Sequence, residues 1–444
     1  MNQNEIIQRS KSKNSKVLLF GVPKLGTSIL MGLADFALLA LYSIGYQLPP
    51  ILTTLALGIG KLTIAASQFF FGWISDAKYT RWGRRKPYLV TLSLFLAISF
   101  TFLLLPSLFI DIADVSAVFI WFLIWNIMFN ISYGVTTPYN AWMAEQFIID
   151  ERPKVSQFQN LFGFIGTAIM TVFAMVVLTD FNDNIQANPD VVPPVFLYSV
   201  IIFAIIPLVL FYLISLLMPK EPHFKINSNM IENLKTILKN KNFLLVTIMQ
   251  GIASIAWIMI GAQILIYIDK VLQFDSTSNL IGSIVFILGI LIFLVIWRKL
   301  IEKLGRKRSL LYIFLTAIIF LPFTLLGLLP MGSTFSLIFG IIFILGITGC
   351  MGGWFLFPSI MYADIAEEDE KSTGELKAGI YTGFPSIILN LFQALGYFIM
   401  GLILALPSFG LTYSIGYVLW GPICSVILIC AYFFSRKFIK LDFE

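Results

Sequence analysis

The stretch GWISDAKYTRWGRRKPY, residues Gly72–Tyr88, lies between two long apolar segments and has a counterpart later in the chain. The counterpart is WRKLIEKLGRKRSLLY, Trp297–Tyr312, which also places a glycine and then basic residues before the next apolar segment. The two glycines, Gly83 and Gly305, are 222 residues apart, which is half of the 444-residue chain. Any basic loop would explain the charges, but the matched glycine at a matched position indicates two parallel halves.

Apolar segments long enough to cross a bilayer recur along the whole chain. Hydrophobic residues make up 58% and charged residues 12%, with a mean hydropathy of +0.88, whereas soluble domains carry about 25% charged residues. A spanning helix needs about 20 apolar residues. The sequence therefore predicts an all-α polytopic membrane protein with twelve transmembrane helices, near residues 17–43, 50–75, 87–110, 115–147, 156–180, 193–218, 242–269, 277–300, 309–330, 334–365, 376–406 and 411–435.

The charged residues of the loops predict the orientation. Of the 30 basic residues, 27 fall in the two tails and in the loops after every second helix, whereas the opposite loops hold six aspartates and one base, Lys270. By the positive-inside rule, both termini are expected in the cytoplasm, in the cell membrane. The net charge of +6 then reflects topology and contact with anionic lipid rather than nucleic-acid binding.

One long polar loop divides the chain. It predicts a cytoplasmic linker at residues 219–241 between an N-terminal six-helix bundle, 1–218, and a C-terminal six-helix bundle, 242–444. The first apolar segment lacks a small-residue cleavage site, so it is not interpreted as a removable signal peptide.

The residues that usually carry enzyme chemistry occur in no recognisable pattern. Cys350, Cys424 and Cys430 all fall in apolar segments, without the spacing of metal ligands or a disulfide framework. The single histidine, His223, is interpreted as a solvated loop residue. There is no phosphate loop, nucleophile elbow or zinc signature. We therefore expect a protein that is not an enzyme and has no cofactor and no metal site.

Three stretches of the sequence resemble one family. GWISDAKYTRWGRRKPY is similar to the helix 2–3 loop of the glycoside-pentoside-hexuronide:cation symporters, the melibiose permease-like family of the major facilitator superfamily. TPYNAWMAEQ, Thr137–Gln146, is similar to the end of that family's helix 4, and MYADIAEEDEKSTGELKAGIYTGF, Met361–Phe384, to its helix 10–11 loop. The resemblance covers essentially the whole chain. It implies two pseudo-symmetric six-helix bundles that carry a small molecule, a sugar or glycoside. Nothing in the sequence requires more than a monomer.

The sequence departs from this family where the family carries charge. Cation-coupled members have acids on helices 2 and 4 and a lysine on helix 11, and they hold sugar with an acid on helix 1 and an arginine on helix 5. The aligned residues here are all neutral: Gln68, Ile64, Thr136, Asn390, Ser28 and Asn160. Sodium prefers several oxygen ligands, usually including a carboxylate. The departures therefore argue against sodium coupling and favour a proton, or no ion.

Neutral polar and aromatic side chains are candidates for a substrate site between the halves, near the middle of the bilayer. Amides and hydroxyls hydrogen-bond sugar hydroxyls, and tryptophan stacks on sugar rings. The alternative is that the amides form interhelical hydrogen bonds and the tryptophans only pack. The predicted lining residues are Ser28, Gln68, Asn126, Asn130, Thr136, Asn140 and Asn160 in the first half and Trp257, Gln263, Trp354, Asn390 and Gln393 in the second.

Two opposite charges stand inside the first two apolar segments. Asp35 lies about nine residues before the outer end of the first apolar segment and Lys61 about eleven residues after the start of the second, so both are expected roughly 14–17 Å deep. A lone charge there costs at least ~3 kcal/mol. One hypothesis is that they form the ion-coupling element, with Asp35 binding and releasing a proton. The alternatives are a static ion pair between the two helices, or that the two side chains do not meet.

Acids and arginines at the cytoplasmic helix ends predict a gate network that breaks when the halves rock. Its predicted members are Asp76, Arg81, Arg84, Arg85, Glu145 and Asp364, with Asp76 paired to Arg84. The alternative is a solvated charge cluster. Pro138 and Pro358 are expected to end or kink helices 4 and 10.

Together these observations predict a secondary active transporter that moves a neutral polar solute, a sugar or glycoside, by alternating access with proton coupling. A sugar uniporter is the first alternative. A carrier of a lysolipid-like amphiphile would keep the fold and predicts a greasy lateral opening. A membrane sensor that does not transport would need a signalling domain, against which the short termini argue.

Overall fold

The computed structural model describes residues 14–148, 151–188, 191–220, 239–330, 332–357, 361, 362, 365 and 385–439. Within them, twelve helices are long and apolar enough to cross a membrane, which confirms the predicted number and class. We label them in chain order α1 Asn14–Phe36, α2 Pro50–Ala77, α3 Lys86–Leu104, α4 Val115–Met143, α5 Lys154–Ile185, α6 Pro194–Leu217, α7 Lys241–Val271, α8 Ser276–Leu304, α9 Arg306–Leu328, α10 Ser333–Trp354, α11 Pro385–Leu404 and α12 Gly416–Phe438.

Side chains on the outside of the molecule are apolar. Ile202, Leu216, Leu288 and Leu402 are each more than half exposed, and they lie in the middle or near the ends of spanning helices. Water would make such a surface costly, because each apolar Å² exposed costs roughly 25 cal/mol. Lipid tails remove that cost, so the outer surface agrees with the membrane location expected from composition.

The two matched glycines share a backbone conformation. Gly83 has φ 102° and Gly305 has φ 81°, in the left-handed region that glycine enters without a steric penalty. Gly305 directly precedes the first residue of α9, and Gly83 closes a short antiparallel bridge with Thr80 just before α3. Each glycine lets the chain reverse between two spans, which explains why both halves carry it.

The first helices of the two halves end in the same way. Beyond Phe36 the chain continues through Leu38–Ala40 into a π-helical turn, Leu41–Gly45, and α7 ends in the π-helical turn Tyr267–Val271. Each turn is followed by a non-glycine residue with φ 52°, Gln47 and Gln273. The repeated geometry identifies the two halves as copies of one topology.

The helix pairings are also repeated. In the first half α1 packs on α5, α2 on α4 and α3 on α6; in the second half α7 packs on α11, α8 on α10 and α9 on α12. Two pseudo-symmetric six-helix bundles result, as predicted. Residues 221–238 of the predicted linker lie outside the described residues, so the boundaries 1–218, 219–241 and 242–444 stay predictions.

The two sides of the helix array differ in charge. We call the side where α1 begins and α12 ends the basic face, because its loops carry Arg81, Arg84 and Arg85. We call the opposite side the acidic face; its loops carry Asp111, Asp114 and Asp275.

The bundles meet through α2 with α11, α5 with α8, and α1 with α7. Small residues allow close contact: a Cβ added to Gly58 would lie 2.6 Å from Phe398 Cε1, and one added to Gly401 would lie 2.1 Å from Thr54 Oγ1. The rings of Phe36 and Phe286 are 5.8 Å apart. All of these contacts lie toward the acidic face, where they hold the bundles together.

Helix α4 is interrupted. Its two parts are Val115–Tyr133 and Thr136–Gln146. Pro138 lies in the first turn of the second part and cannot donate a hydrogen bond to the Gly134 carbonyl, four residues earlier. This agrees with the predicted kink at Pro138, whereas Pro358 lies outside the described residues.

Candidate functional site

The two charges inside α1 and α2 meet. Lys61 Nζ donates a hydrogen bond to Asp35 Oδ1 at 2.6 Å. The Lys61 side chain is 7% exposed and the Asp35 side chain 34% exposed. The alternative that they do not meet is therefore excluded. The carboxylate is the accessible member of the pair, which is the arrangement that a proton-binding group would need.

Two tyrosines surround the pair from other helices. Tyr133 on α4 and Tyr397 on α11 are both buried, and each lies close enough to Asp35 for an electrostatic interaction. The Tyr397 hydroxyl is buried and has no hydrogen-bond partner among the described residues. Tyr397 belongs to the second bundle, so the Asp35–Lys61 pair lies at the boundary between the bundles.

Two of the predicted substrate-binding amides join α4 to α2. Asn126 Nδ2 donates to Ala56 O at 2.7 Å, and Asn130 Nδ2 donates to Asn126 Oδ1 at 2.9 Å. Both amides press on Gly60, where an added Cβ would lie 2.4 Å from Asn126 Nδ2. Asn126 thus fits the alternative of an interhelical hydrogen bond, and Asn130 supports it from the same helix, while the substrate role of both stays a prediction.

We expect Asn126→Ala to destabilise the protein rather than weaken solute binding. The variant removes the bond to Ala56 O and one of the two acceptors of Asn130 Nδ2, whose other acceptor is the backbone Asn126 O. An interhelical hydrogen bond in a membrane protein contributes about 1 kcal/mol. Thermal melting of the purified protein should show the loss, and the half-saturating solute concentration should not change. The matched control is Asn184→Ala, at an exposed amide of α5 whose hydrogen bond to Asp180 O stays within its own helix. Unchanged melting with a raised half-saturating concentration would assign Asn126 to the substrate site.

Other predicted polar residues are buried with local partners or with none. Thr136 Oγ1 donates to Tyr133 O, and Asn390 Nδ2 donates to Ser386 O, one turn away on the same helix. Within the described residues, no partner is found for Gln68 Oε1 or for either polar side-chain atom of Gln263. Unpartnered buried amides are costly, so these two glutamines are the better candidates for binding a solute.

The packing of α2 on α11 brings polar residues of both bundles together. The helices are antiparallel, and the contacts of Gly58 with Phe398 and of Thr54 with Gly401 set their register. Counting from these contacts brings Gln68 within about one helical turn of Asn390. Gln393 on α11 is partly exposed. The predicted cluster of amides on α2 and α11 is therefore compatible with the packing.

The two predicted tryptophans contact each other. The rings of Trp257 on α7 and Trp354 on α10 stack with centroids 5.7 Å apart and an interplanar angle of 20°. Trp354 also contacts Phe314, at 5.7 Å, and is buried. Packing accounts for Trp354, whereas the Trp257 side chain is partly exposed and its buried Nε1–H donor has no partner among the described residues.

The remaining candidates lie between α1 and α5 or near the basic face. Ser28 Oγ lies 3.3 Å from the position of a Cβ added to Gly163, and Asn160 is exposed about one turn from Gly163. Asn140 is exposed near the end of α4. Ser28 and Asn160 are thus both near Gly163, whereas Asn140 lies on another helix, close to the basic face.

Arg85 is the centre of the charge network at the basic face. It binds Asp76 Oδ1 at 2.5 Å, Glu145 Oε1 at 2.6 Å and Ser75 Oγ at 2.7 Å. Arg84 NH1 lies 4.0 Å from Glu145 Oε1. The predicted pairing of Asp76 with Arg84 is therefore corrected to Arg85, which directly precedes α3 and reaches the ends of both α2 and α4.

Opposing effects act on the Arg85 guanidinium. Burial alone would lower the pKa of Arg85, but the carboxylates of Asp76 and Glu145 outweigh it and raise that pKa. Arg85 therefore stays charged. Arg81 is exposed, and Asp364 lies outside the described residues. The contacts named here join α2, α4 and the loop between α2 and α3, all within the first bundle, so a role in gating stays a prediction.

Polar contacts also cross between the bundles at the acidic face. Lys270 Nζ lies 3.8 Å from Asp183 Oδ1 and 3.1 Å from Asp269 Oδ2. Ser276 Oγ donates to Asp180 Oδ1 at 2.9 Å. These contacts border a cleft of about 600 Å³ whose lining includes Ser43 and Gln273. The acidic face is thus closed by hydrogen bonds, an ion pair and the close packing of α2 on α11.

Comparison with known proteins gives the family. The family described as MFS/sugar transport protein matches residues 19–418. The chain belongs to this family. The match covers most of the chain, and it confirms the resemblance to major facilitator sugar transporters that the loop motifs indicated.

The curated relative that we compare with this MFS/sugar transport protein is distant in sequence. An uncharacterized symporter of Synechocystis sp. (strain ATCC 27184 / PCC 6803 / Kazusa) is 26% identical over 173 residues, which is 38% of this chain and 32% of that protein. The match therefore spans about a third of the relative's length.

Solved structures share the whole fold. A D-xylose–proton symporter aligns over 96% of this chain and 97% of its own, with 14% identity and a TM-score of 0.65. A bacterial homolog of the human lysosomal transporter Spinster, in an inward-facing and unoccupied conformation, aligns over 98% and 100%, with 14% identity and a TM-score of 0.69. A mutant of the nucleoside transporter NupG aligns over 96% and 98%, with 17% identity and a TM-score of 0.60. These likenesses confirm the major facilitator fold.

Two residues near the predicted site residues of this MFS/sugar transport protein were missed by the sequence reasoning. Tyr397 could not have been found, because only packing brings α11 to Asp35. Lys24 could have been found: with Lys61 and Lys270, it is one of three basic residues outside the tails and the basic loops. It lies within the first apolar segment, where a lysine is expensive.

Proposed function

We propose that this MFS/sugar transport protein carries a sugar or glycoside across the membrane by alternating access, with Asp35 and Lys61 as the proton-coupling element. The observation that carries the proposal is the ion pair at the boundary between the bundles. The Asp35 carboxylate is accessible. Across the boundary, in the second bundle, it lies near Tyr397, whose hydroxyl has no partner among the described residues. Protonating Asp35 would weaken its bond to Lys61 and change how the bundles meet.

A proton is the proposed coupling ion rather than sodium. The positions that carry charge in cation-coupled relatives are neutral here, whereas sodium prefers several oxygen ligands that usually include a carboxylate. The fold similarity to a D-xylose–proton symporter supports a sugar substrate and a proton. One chain holds every residue that the proposal needs, which is compatible with a monomer.

The described conformation supports an inward-facing state. The acidic face is closed by contacts from both bundles, and a similar fold was solved in an inward-facing conformation. The positive-inside rule makes the basic face cytoplasmic. We therefore propose a protein of the cell membrane with both termini in the cytoplasm, and with solute released at the basic face.

Uniport is a second candidate, favoured by a specific observation. Lys61 is almost fully buried and already bonded to Asp35 at 2.6 Å. Removing one partner of a buried pair costs about 3–5 kcal/mol, so such a pair stabilises the packing of α1 on α2. If that is its whole role, the pair does not couple a proton to transport. The sugar would then equilibrate without accumulating.

Uptake of labelled saccharides into proteoliposomes tests the proposal. Three conditions are compared: an imposed proton gradient, an imposed sodium gradient, and neither. Accumulation driven only by protons is the expected result. Equilibration under all three conditions would establish uniport. Failure to move any saccharide, together with movement of a labelled lysolipid, would overturn the proposal in favour of an amphiphile carrier.

A further inference from the structure

Lys24 is a lysine inside the membrane-spanning part of α1. It lies ten residues from Asn14, where α1 begins, which is about 15 Å along the helix. The other two basic residues outside the tails and basic loops have carboxylate partners, Asp35 for Lys61 and Asp269 with Asp183 for Lys270. Within the part of the chain that the structure describes, Lys24 has no carboxylate within 4.0 Å. Its charge is not compensated by an acid of the described protein.

The central part of the helix array therefore carries excess positive charge. Away from the helix ends, its ionisable lysines and acids are Lys24, Lys61 and Asp35 among the described residues, and one carboxylate balances only one of the two lysines. Charged residues inside a membrane are expensive and mark functional sites, where a partner is supplied from the protein or from a ligand. No such partner is found among the described protein side chains.

The surroundings of Lys24 fit a ligand with oxygen atoms. Lys24 Cγ and Cε lie 3.5 and 3.8 Å from the position of a Cβ added to Gly163 on α5, so the side chain crosses this glycine. Ser28 Oγ lies 3.3 Å from the same position. Asn160 is exposed one turn away on α5. The Lys24 side chain and the Ser28 hydroxyl thus meet α5 at Gly163, and the Asn160 amide lies one turn nearer the basic face on α5.

This group lies on the same side of α1 as the ion pair. Lys24 and Asp35 are eleven residues apart, which is close to three full turns, so their side chains leave α1 in nearly the same direction. The rise over eleven residues is about 16 Å. A solute bound at Lys24 could therefore extend along this face of α1 toward Asp35.

We propose that Lys24 is the anion-binding residue of the substrate site, and that the transported sugar or glycoside carries a carboxylate or a phosphate. This inference rests on the proposed function and narrows its substrate from sugars and glycosides in general to anionic ones. The Lys24 ammonium binds the oxyanion through a charge-assisted hydrogen bond, with Ser28 and Asn160 as additional donors. The anion supplies the missing counter-charge, so the empty site is the costly state and the loaded site the balanced one.

Direct binding to the purified full-length protein tests this inference. The probes are hexopyranosides in three forms: neutral methyl glycosides, the matching uronides and the matching sugar phosphates. We expect at least one anionic form to bind ten times or more tightly than its neutral counterpart. Whether the uronide or the phosphate is preferred identifies the anion.

Variants of Lys24 separate binding from folding. Lys24→Gln should abolish the preference for the anionic form, while Lys24→Arg, which keeps the charge, should retain most of it. The matched control is Lys303→Gln, at the basic-face end of α8, which should leave the preference unchanged. Lys24→Gln should melt at the same temperature as the unaltered protein or higher, because it removes an uncompensated charge.

The outcomes distinguish this inference from the proposed function. Equal binding of neutral and anionic forms, or a preference that survives Lys24→Gln, overturns the anion site while sugar transport stands. Binding of none of the saccharides, with no uptake, overturns both. Loss of the preference in Lys24→Gln with its retention in Lys24→Arg and Lys303→Gln supports the site.

Discussion

Asp35→Asn is expected to abolish accumulation of solute while leaving exchange of solute across the membrane intact. Asparagine cannot take up and release a proton, so an imposed proton gradient would no longer do work on the solute. If one proton moves with each solute molecule, a gradient of one pH unit supports an accumulation ratio of about ten. In proteoliposomes containing the Asp35→Asn variant, this ratio should fall to one, while counterflow of labelled against unlabelled solute should continue.

The same variant is expected to lose stability, because Lys61 stays buried after its carboxylate is removed. Breaking one side of a buried pair costs about 3–5 kcal/mol. The accessible position of Asp35, a third exposed, should keep the loss at the lower end of this range. The double variant Asp35→Asn/Lys61→Gln should recover much of the loss, and the double-mutant cycle measures the coupling.

An exposed ion pair serves as the matched control. Arg298 and Glu302 on α8 pair at 3.3 Å with side chains that are 78% and 64% exposed. Glu302→Gln should therefore change neither accumulation nor melting by a measurable amount. Proton-driven accumulation that survives Asp35→Asn would show that Asp35 and Lys61 form a static pair and that coupling lies elsewhere.

A disulfide between α2 and α11 is expected to stop transport. Thr54 Cβ lies 3.3 Å from the position of a Cβ added to Gly401, close to the roughly 3.5–4.5 Å that joins the Cβ atoms of a disulfide. Thr54→Cys/Gly401→Cys also replaces the Thr54 hydroxyl that an added Cβ would strike. Oxidation should lock the acidic face closed and reduce uptake more than tenfold, and a reductant should restore it.

The native cysteines set the control for this experiment. Cys350 and Cys424 are buried, but Cys430 is exposed, so both cysteines are introduced into a Cys430→Ser background. The single variants, Thr54→Cys and Gly401→Cys, should be insensitive to oxidant. A cross-linked protein that transports at the normal rate would contradict alternating access. Failure of the disulfide to form would contradict the close packing of α2 on α11.

The twelve helices, the two halves and the membrane location could all be read from the sequence. Hydropathy and loop charge are local properties, because each span must be apolar over its own length and each loop carries its own basic residues. The matched glycines are also a local property of the sequence. Gly83 and Gly305 meet the local need for a positive φ, and that need is visible in the sequence as a repeated residue.

The partners of the buried polar residues were decided by the tertiary structure. Which side chains meet depends on how each helix is rotated and how closely it approaches another, and neither is encoded in a local pattern. The sequence indicated that Asp35 and Lys61 share a depth, but only packing joined them and brought Tyr397 beside them. Packing likewise pairs Asp76 with Arg85 rather than with Arg84.

The predicted substrate residues divide for the same reason. Asn126 and Asn130 look like solute ligands in the sequence, yet the approach of α4 to Gly60 turns them into a link between helices. Lys24 differs from these amides, because the packing leaves it without a carboxylate partner among the described residues. Its charge and its neighbour Ser28, four residues later on α1, are plain in the sequence, but only the tertiary structure reveals that Lys24 packs on Gly163 of α5 with no described carboxylate beside it. The order of residues determined where the charges lie along the chain. The packing of the helices decided which of these charges have a partner among the described residues.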